Sequence, residues 1–188
     1  MTSTGRILWC AVVWAGCGMS SAAGEEKMEN PEYQNWARFK PGSYVVLEML
    51  NTAMGTTTES TMTQTLKALT PDKAVVETQI VAVIAERSHR MPSQAREIPA
   101  RLAKAEAEKQ TTPEGKVAEG EEELEIAGQR FKAKWVESEV RHGGHLIKTR
   151  VWTCQEMPGQ VLKMTVSTKG EMATTTESRV VKFKAEKR

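Results

Sequence analysis

From Ser43 onward, apolar residues recur at every second position in run after run, and each run is closed by a turn signal. In "SYVVLEML" the residues Val45, Leu47 and Met49 share one face. In "TTTESTMTQTLKAL" the same holds for Met62, Gln64 and Leu66, and in "AVVETQIVAVIAE" for Ala74, Val76, Thr78, Ile80, Ala82 and Ile84. Side chains alternate across a strand, so a period of two buries one face and exposes the other. Threonine, branched at Cβ, is stiff and favours extended backbone. The turns have their own chemistry: Pro71 fixes the second position of "TPDK", and Gly143-Gly144 suit the hairpin "RHGGH".

The pattern resumes after residue 121. "EELEIAGQRFKAKWVESEV" reads as two strands around Ala127-Gly128, with Phe131, Ala133 and Trp135 aligned. "LIKTRVWT" pairs back, "VLKMTVST" aligns Leu162, Met164 and Val166, and "MATTTESRVVKFKAEK" aligns Val181, Phe183 and Ala185. Upstream, Asn30-Pro31 opens a short helix over "PEYQNWARF" that lays Trp36 and Phe39 on the core. "ARLAKAEAEK" is a second helical stretch by propensity. "REIPA" suits a short edge strand, because Pro99 cannot donate to a ladder. The expected fold is mostly β: an antiparallel curved sheet or partial barrel of roughly eight or nine strands with one or two short helices. Residues 24–188 form one domain, with a flexible charged insertion near 104–121.

One phrase is written twice. "TTTES" occupies Thr56–Ser60 and again Thr174–Ser178, each time after a Pro-Gly pair (Pro41, Pro158), an amphipathic strand and a Gly-containing turn. The repetition reads as one hairpin used twice, so that the N- and C-terminal meanders form halves of one sheet. Convergence in a Thr-rich chain is the alternative.

The N-terminus is an export signal: Arg6, an apolar run from Ile7 to Ala15, small residues, then Glu25-Glu26. The run is too short to span a bilayer, which takes about 20 residues. Two cleavage sites fit. Cutting after Ala23 removes residues 1–23. Alternatively "WAGC" resembles a lipobox, with Trp14 in place of the usual aliphatic residue, which implies removal of 1–16 and a lipid on Cys17. Either route takes the chain out of the cytoplasm, to the periplasm or beyond, or to a membrane-anchored lipoprotein. Cys154 then has no disulfide partner.

Composition narrows the chemistry. A net charge of +2 over 188 residues gives no basic face for nucleic acid. Asp72 is the only aspartate, so clustered-aspartate metal or phosphoryl-transfer sites are excluded. There is no G-x-S-x-G, phosphate loop, C-x-x-C or H-E-x-x-H. His142 and His145 bracket one turn, but no further ligand is near in sequence, so no metal, cofactor or catalytic residue is assigned. What stands out is apolar. Met49, Met62 and Met164 fall at inward positions beside Leu66 and Leu162. Methionine is adaptable and common at promiscuous apolar surfaces. These five residues are the candidate face for an apolar ligand; the alternative is that they fill the core.

The residues "W..F.PGSYV" from Trp36, "ALTPDKAVVE" from Ala68 and "W…E.PG.V.K" from Trp152 resemble a group of uncharacterised secreted β-proteins of planctomycete-type bacteria. More distantly, an exported antiparallel sheet of this size is similar to the half-barrel of LolA/LolB-type lipoprotein carriers. Neither likeness carries a functional residue onto this chain. The expectation is an exported, non-catalytic envelope protein that binds a lipid or other apolar ligand, or another envelope protein. A structural or protein-interaction module without ligand is the alternative, and a hydrolase comes third. Membrane contact is expected only through a lipid on Cys17.

Overall fold

The computed structural model describes residues 27–84, 87–104, 106, 115–142, 144–170 and 173–188. The export signal, both cleavage sites and Cys17 lie outside the described residues.

The alternating runs form the expected strands. In chain order they are β1 (Lys27–Glu29), β2 (Tyr44–Ala53), β3 (Thr56–Leu69), β4 (Lys73–Ile84), β5 (Arg87–Arg90), β6 (Gln94–Pro99), β7 (Arg101–Ala103), β8 (Lys116–Ile126), β9 (Gln129–His142), β10 (His145–Thr153), β11 (Val161–Lys169) and β12 (Thr174–Lys184). A short helix, α1 (Pro31–Trp36), lies between β1 and β2. Ten strands make one open antiparallel sheet in the order β5-β4-β3-β2-β12-β11-β10-β9-β8, with β6 on the same edge of β4 as β5. β1 and β7 form a separate two-stranded ribbon.

Two details differ from the sequence reading. Arg101–Ala103, the start of the expected helical stretch, are strand, because they complete the ribbon with Lys27–Glu29 and backbone pairing there overrides local propensity, whereas Lys104 and Glu106 beyond them are helical. Lys116–Glu121, within the stretch expected as a flexible charged insertion, pair with β9 and form the first half of β8.

The hairpins are tight where the backbone permits. Met54-Gly55 and Ala127-Gly128 both adopt positive φ at two successive residues, the two-residue turn that matches strand twist. Bulges at Leu66/Ala68, Val180/Lys182 and Trp152/Thr153 bend the strands at the helix end of the sheet.

The helix has only six residues and is held by tertiary bonds. Asn30 caps it, accepting from the Glu32 and Tyr33 N–H groups, while its own Nδ2 donates to the Pro99 carbonyl at 2.8 Å. Tyr33 Oη donates to the Thr70 carbonyl at 2.7 Å, and Asn35 Nδ2 to the Met157 carbonyl at 3.1 Å. Tyr33, Trp36 and Phe39 bury against Leu66, Ala74, Val76 and Ile98. A second core joins Val45, Leu47, Leu162 and Val180 to Ile126, Phe131, Ala133, Trp152 and Met157.

Candidate binding face of the open sheet

The register explains the repeated phrase. Ser60 and Ser178 both stand opposite Met49, one on each side of β2, and each residue of one "TTTES" copy shares its β2 partner with the same residue of the other. Within the two hairpins the pairing also matches: Ser60 faces Met49 as Ser178 faces Met164. The copies thus occupy equivalent positions in two hairpins that sit side by side.

Directly opposed residues point to the same face of a sheet. One row therefore runs across seven strands: Ala82, Ser60, Met49, Ser178, Met164, Val151, Val136. The next row toward the helix begins Ile80, Met62, Leu47, Val180. This face is apolar. At its helix end it is covered, because α1 packs on β4 and β6. Leu66 and Leu162 lie fully buried at 0% exposure, in the helix-side and central cores respectively. Away from the helix, Met49, Met62, Met164, Val151 and Val136 are only half-buried. Met62 touches the central core, whereas Met49, Met164, Val151 and Val136 belong to neither core. Of the five candidate residues, then, three methionines border solvent and two leucines do not. Val136 and Val151 extend the face. The sequence signal that could have found them is their alternation in "WVES" and "TRVW".

The opposite face is charged and internally paired over its middle, and turns apolar at Trp152 and Trp135, which pack on the central core. Its rows read Glu59, Leu50, Glu177, Thr165, Arg150, Glu137 and Thr61, Glu48, Arg179, Lys163, Trp152, Trp135, Gly120. Arg179 meets Glu48 at 2.8 Å and Lys163 meets Glu177 at 3.0 Å. Glu137, only 7% exposed, accepts from Arg150 at 2.7 Å and from Lys148 at 2.7 Å. The Arg150 guanidinium lies 4.4 Å from the Trp135 ring centre and 5.6 Å from that of Trp152. The hydrogen bond from Lys148, joined by Arg150 and opposed by burial, holds the Glu137 carboxyl below its ordinary range; the same bond raises Lys148. A charge ladder this well paired has little capacity left for a ligand.

The remaining candidates place as follows. His142 and His145 are directly opposed across their turn. Among the described residues, no group of three or more His, Cys, Asp or Glu side chains gathers as metal ligands. Cys154 is a half-buried free thiol packed on the central core. A cavity of about 100 Å³ is lined by Glu48, Leu50, Glu177 and Arg179 on the charged face. One of about 350 Å³ is lined by Arg38, Phe39, Gln155, Glu156, Lys187 and Arg188. Neither opens on the methionine row. No helix of the described residues is long and apolar enough to cross a membrane.

Comparison with known proteins gives only distant likenesses. No family model matches the chain, and no curated protein matches it. Among solved structures, one neighbour is a domain from Vibrio parahaemolyticus assigned to outer membrane lipoprotein sorting. It is 12% identical, covers 81% of this chain and 89% of its own, and superposes with a TM-score of 0.28. A LolA superfamily protein from Nitrosomonas europaea is 11% identical, with 84% and 92% covered and a TM-score of 0.25. None of these comparisons supports the planctomycete-type likeness. Superpositions this loose say nothing about what the chain binds.

Proposed function

We propose that this protein is an exported, non-catalytic envelope protein that holds an apolar ligand, an acyl chain by class, against the half-buried methionine face. The observation that supports this reading is the row Met49–Ser178–Met164–Val151–Val136, apolar apart from one small serine and set outside both cores. Ser178 is buried between the two methionines, which leaves their flexible side chains room to repack around a chain-like ligand. Burying such surface stabilises a complex by about 25 cal/mol per Å² of apolar area, before the costs of association. Export rests on the N-terminal signal, and an acyl group on Cys17 is the lipoprotein form of the same proposal.

A second reading, a protein-interaction module without ligand, draws support from the two cavities described, both of which have charged linings. Native mass spectrometry of protein from membrane and soluble fractions weighs the N-terminus and any retained molecule together. It is paired with titration of a fluorescent acyl probe against the wild type and a Met49→Glu/Met164→Glu variant. We expect the probe to bind the wild type and to lose at least about tenfold affinity in the variant, the scale of burying a charge against an apolar chain. Equal binding by both proteins, with a bare chain in the spectrometer, would leave the interaction module in its place.

A further inference from the structure

The cavity beside the helix sets two arginines side by side without an ion pair to either. Phe39 and Lys187 form an isolated antiparallel bridge between the end of the helix segment and the end of the chain. Two backbone bonds fix it: Lys40 N–H to the Glu186 carbonyl at 2.7 Å, and Arg188 N–H to the Arg38 carbonyl at 3.0 Å. That register sets Arg38 directly opposite Arg188. Like charges in directly opposed positions are destabilising. In the middle of the sheet Glu48 answers Arg179, which stands opposite Lys163, and Glu177 answers Lys163. Here no acid does so. Among the described residues, none of Arg38, Lys187 and Arg188 has a side-chain carboxylate within 4.0 Å.

Arg38 and Arg188 line one cavity of about 350 Å³. Gln155 contributes an amide to its lining. Glu156 also lines it, so a carboxylate shares the site with the arginines. The volume lies within the range of small-molecule sites, about 300–1,000 Å³. Guanidinium groups present planar forks of donors that match phosphate oxygens two at a time. We infer that this cavity binds a phosphate-type anion, with Arg38 and Arg188 as the forks; Lys187, one residue along the strand, faces the other way. The same chemistry is offered by a free phosphate monoester and by the headgroup of an anionic phospholipid. The site lies apart from the methionine row, and its test does not depend on what that row binds.

The test titrates the purified chain by calorimetry with inorganic phosphate and with glycerol phosphate, and by sedimentation with phosphatidylglycerol against phosphatidylcholine vesicles. Each is repeated on an Arg38→Gln/Arg188→Gln variant and on Arg141→Gln, an exposed cation on β9. Thermal midpoints check that both variants fold. The expected result is a loss of about tenfold or more in the double variant and no change in Arg141→Gln, the scale of hydrogen bonds to a charged group. Binding of soluble phosphate with that dependence supports the site with a free anion as its ligand. Binding confined to phosphatidylglycerol vesicles, with the same dependence, supports it with a lipid headgroup. Absence of binding to every probe, or an equal loss in Arg141→Gln, overturns it.

Discussion

Thr57 and Thr175 stand on opposite sides of Thr52, in one cross-strand row at the end of the sheet far from the helix. The Thr52 and Thr57 hydroxyls are 2.9 Å apart. Thr52 therefore takes part in two cross-strand pairs, and each such pair contributes about 0.2–1 kcal/mol relative to alanine. Replacing Thr52 by Gly removes both pairs and adds the backbone entropy of glycine. We expect a loss of about 1–2 kcal/mol in urea denaturation. Thr57→Gly removes the pair with Thr52 and leaves that of Thr175 with Thr52 in place, and is expected to cost less. Equal costs would show that the row is not energetically coupled through β2.

Much of this row is legible in the sequence. Once the turn at Met54-Gly55 is placed, the pairing of β2 with β3 follows residue by residue, and the same is true across "RHGGH" for Glu137 with Arg150. Helix α1 was legible from Asn30-Pro31, because a cap and a proline have local chemistry. The pairing of β12 with β2 was not: more than a hundred residues separate them, and no local signal reports which edge a returning strand will choose. β5 was missed because "RSHR" has no apolar alternation, and it pairs only through its backbone. The candidate face was half legible. Alternation put all five candidate residues inward, but it could not say which of them the helix end would cover. The cation cavity was not legible at all, since Arg38 and Arg188 meet only through the bridge at Phe39.

Trp135 lies against Gly120 on the neighbouring strand. A Cβ added at Gly120 would fall 2.7 Å from Trp135 Cζ2 and 2.9 Å from its Nε1. The indole would have to move, and it is also the ring that Arg150 covers. Gly120→Ala is expected to destabilise the protein by about 1–3 kcal/mol, the usual cost of overpacking, and to shift the tryptophan emission. A neutral substitution with unchanged emission would mean the edge strand β8 yields freely.

The buried ladder on the charged face predicts a pH dependence. The Glu137 pKa is depressed in the folded state, first by the hydrogen bond from Lys148 and then by Arg150. Its contribution is therefore fully present above the unfolded carboxylate range, about 4.3, and is lost as pH falls through the lower folded value. Lys148 is raised, so its contribution is present below about 10.4 and is lost as pH rises beyond that. Glu137→Gln should be less stable than the wild type at pH 7, with the gap closing below about pH 4. Glu119 and Glu186, also depressed by lysine partners, keep some acid sensitivity in the variant. A gap that stays constant from pH 7 to pH 3 would show that packing, not charge, is what Glu137 supplies.

The binding face and the core can be separated by truncation. Leu66, with no exposed surface, is enclosed by Trp36, Val76 and Ile98 in the core under the helix. Leu66→Ala leaves a cavity there, and we expect a loss of about 2–5 kcal/mol. Met164 sits on the same face but is half-buried and outside both cores. Met164→Ala removes surface that is already partly in water, so we expect a loss of about 1 kcal/mol or less. The contrast matters because a residue kept for packing shows its worth in stability, whereas one kept for a ligand shows it in binding. Acyl-probe affinity should fall in Met164→Ala while urea midpoints barely move. In Leu66→Ala the order should be reversed, with a large drop in midpoint and near-normal binding by whatever fraction remains folded. Should Met164→Ala cost as much stability as Leu66→Ala and leave probe binding intact, the methionine row is core, and the apolar ligand loses its site.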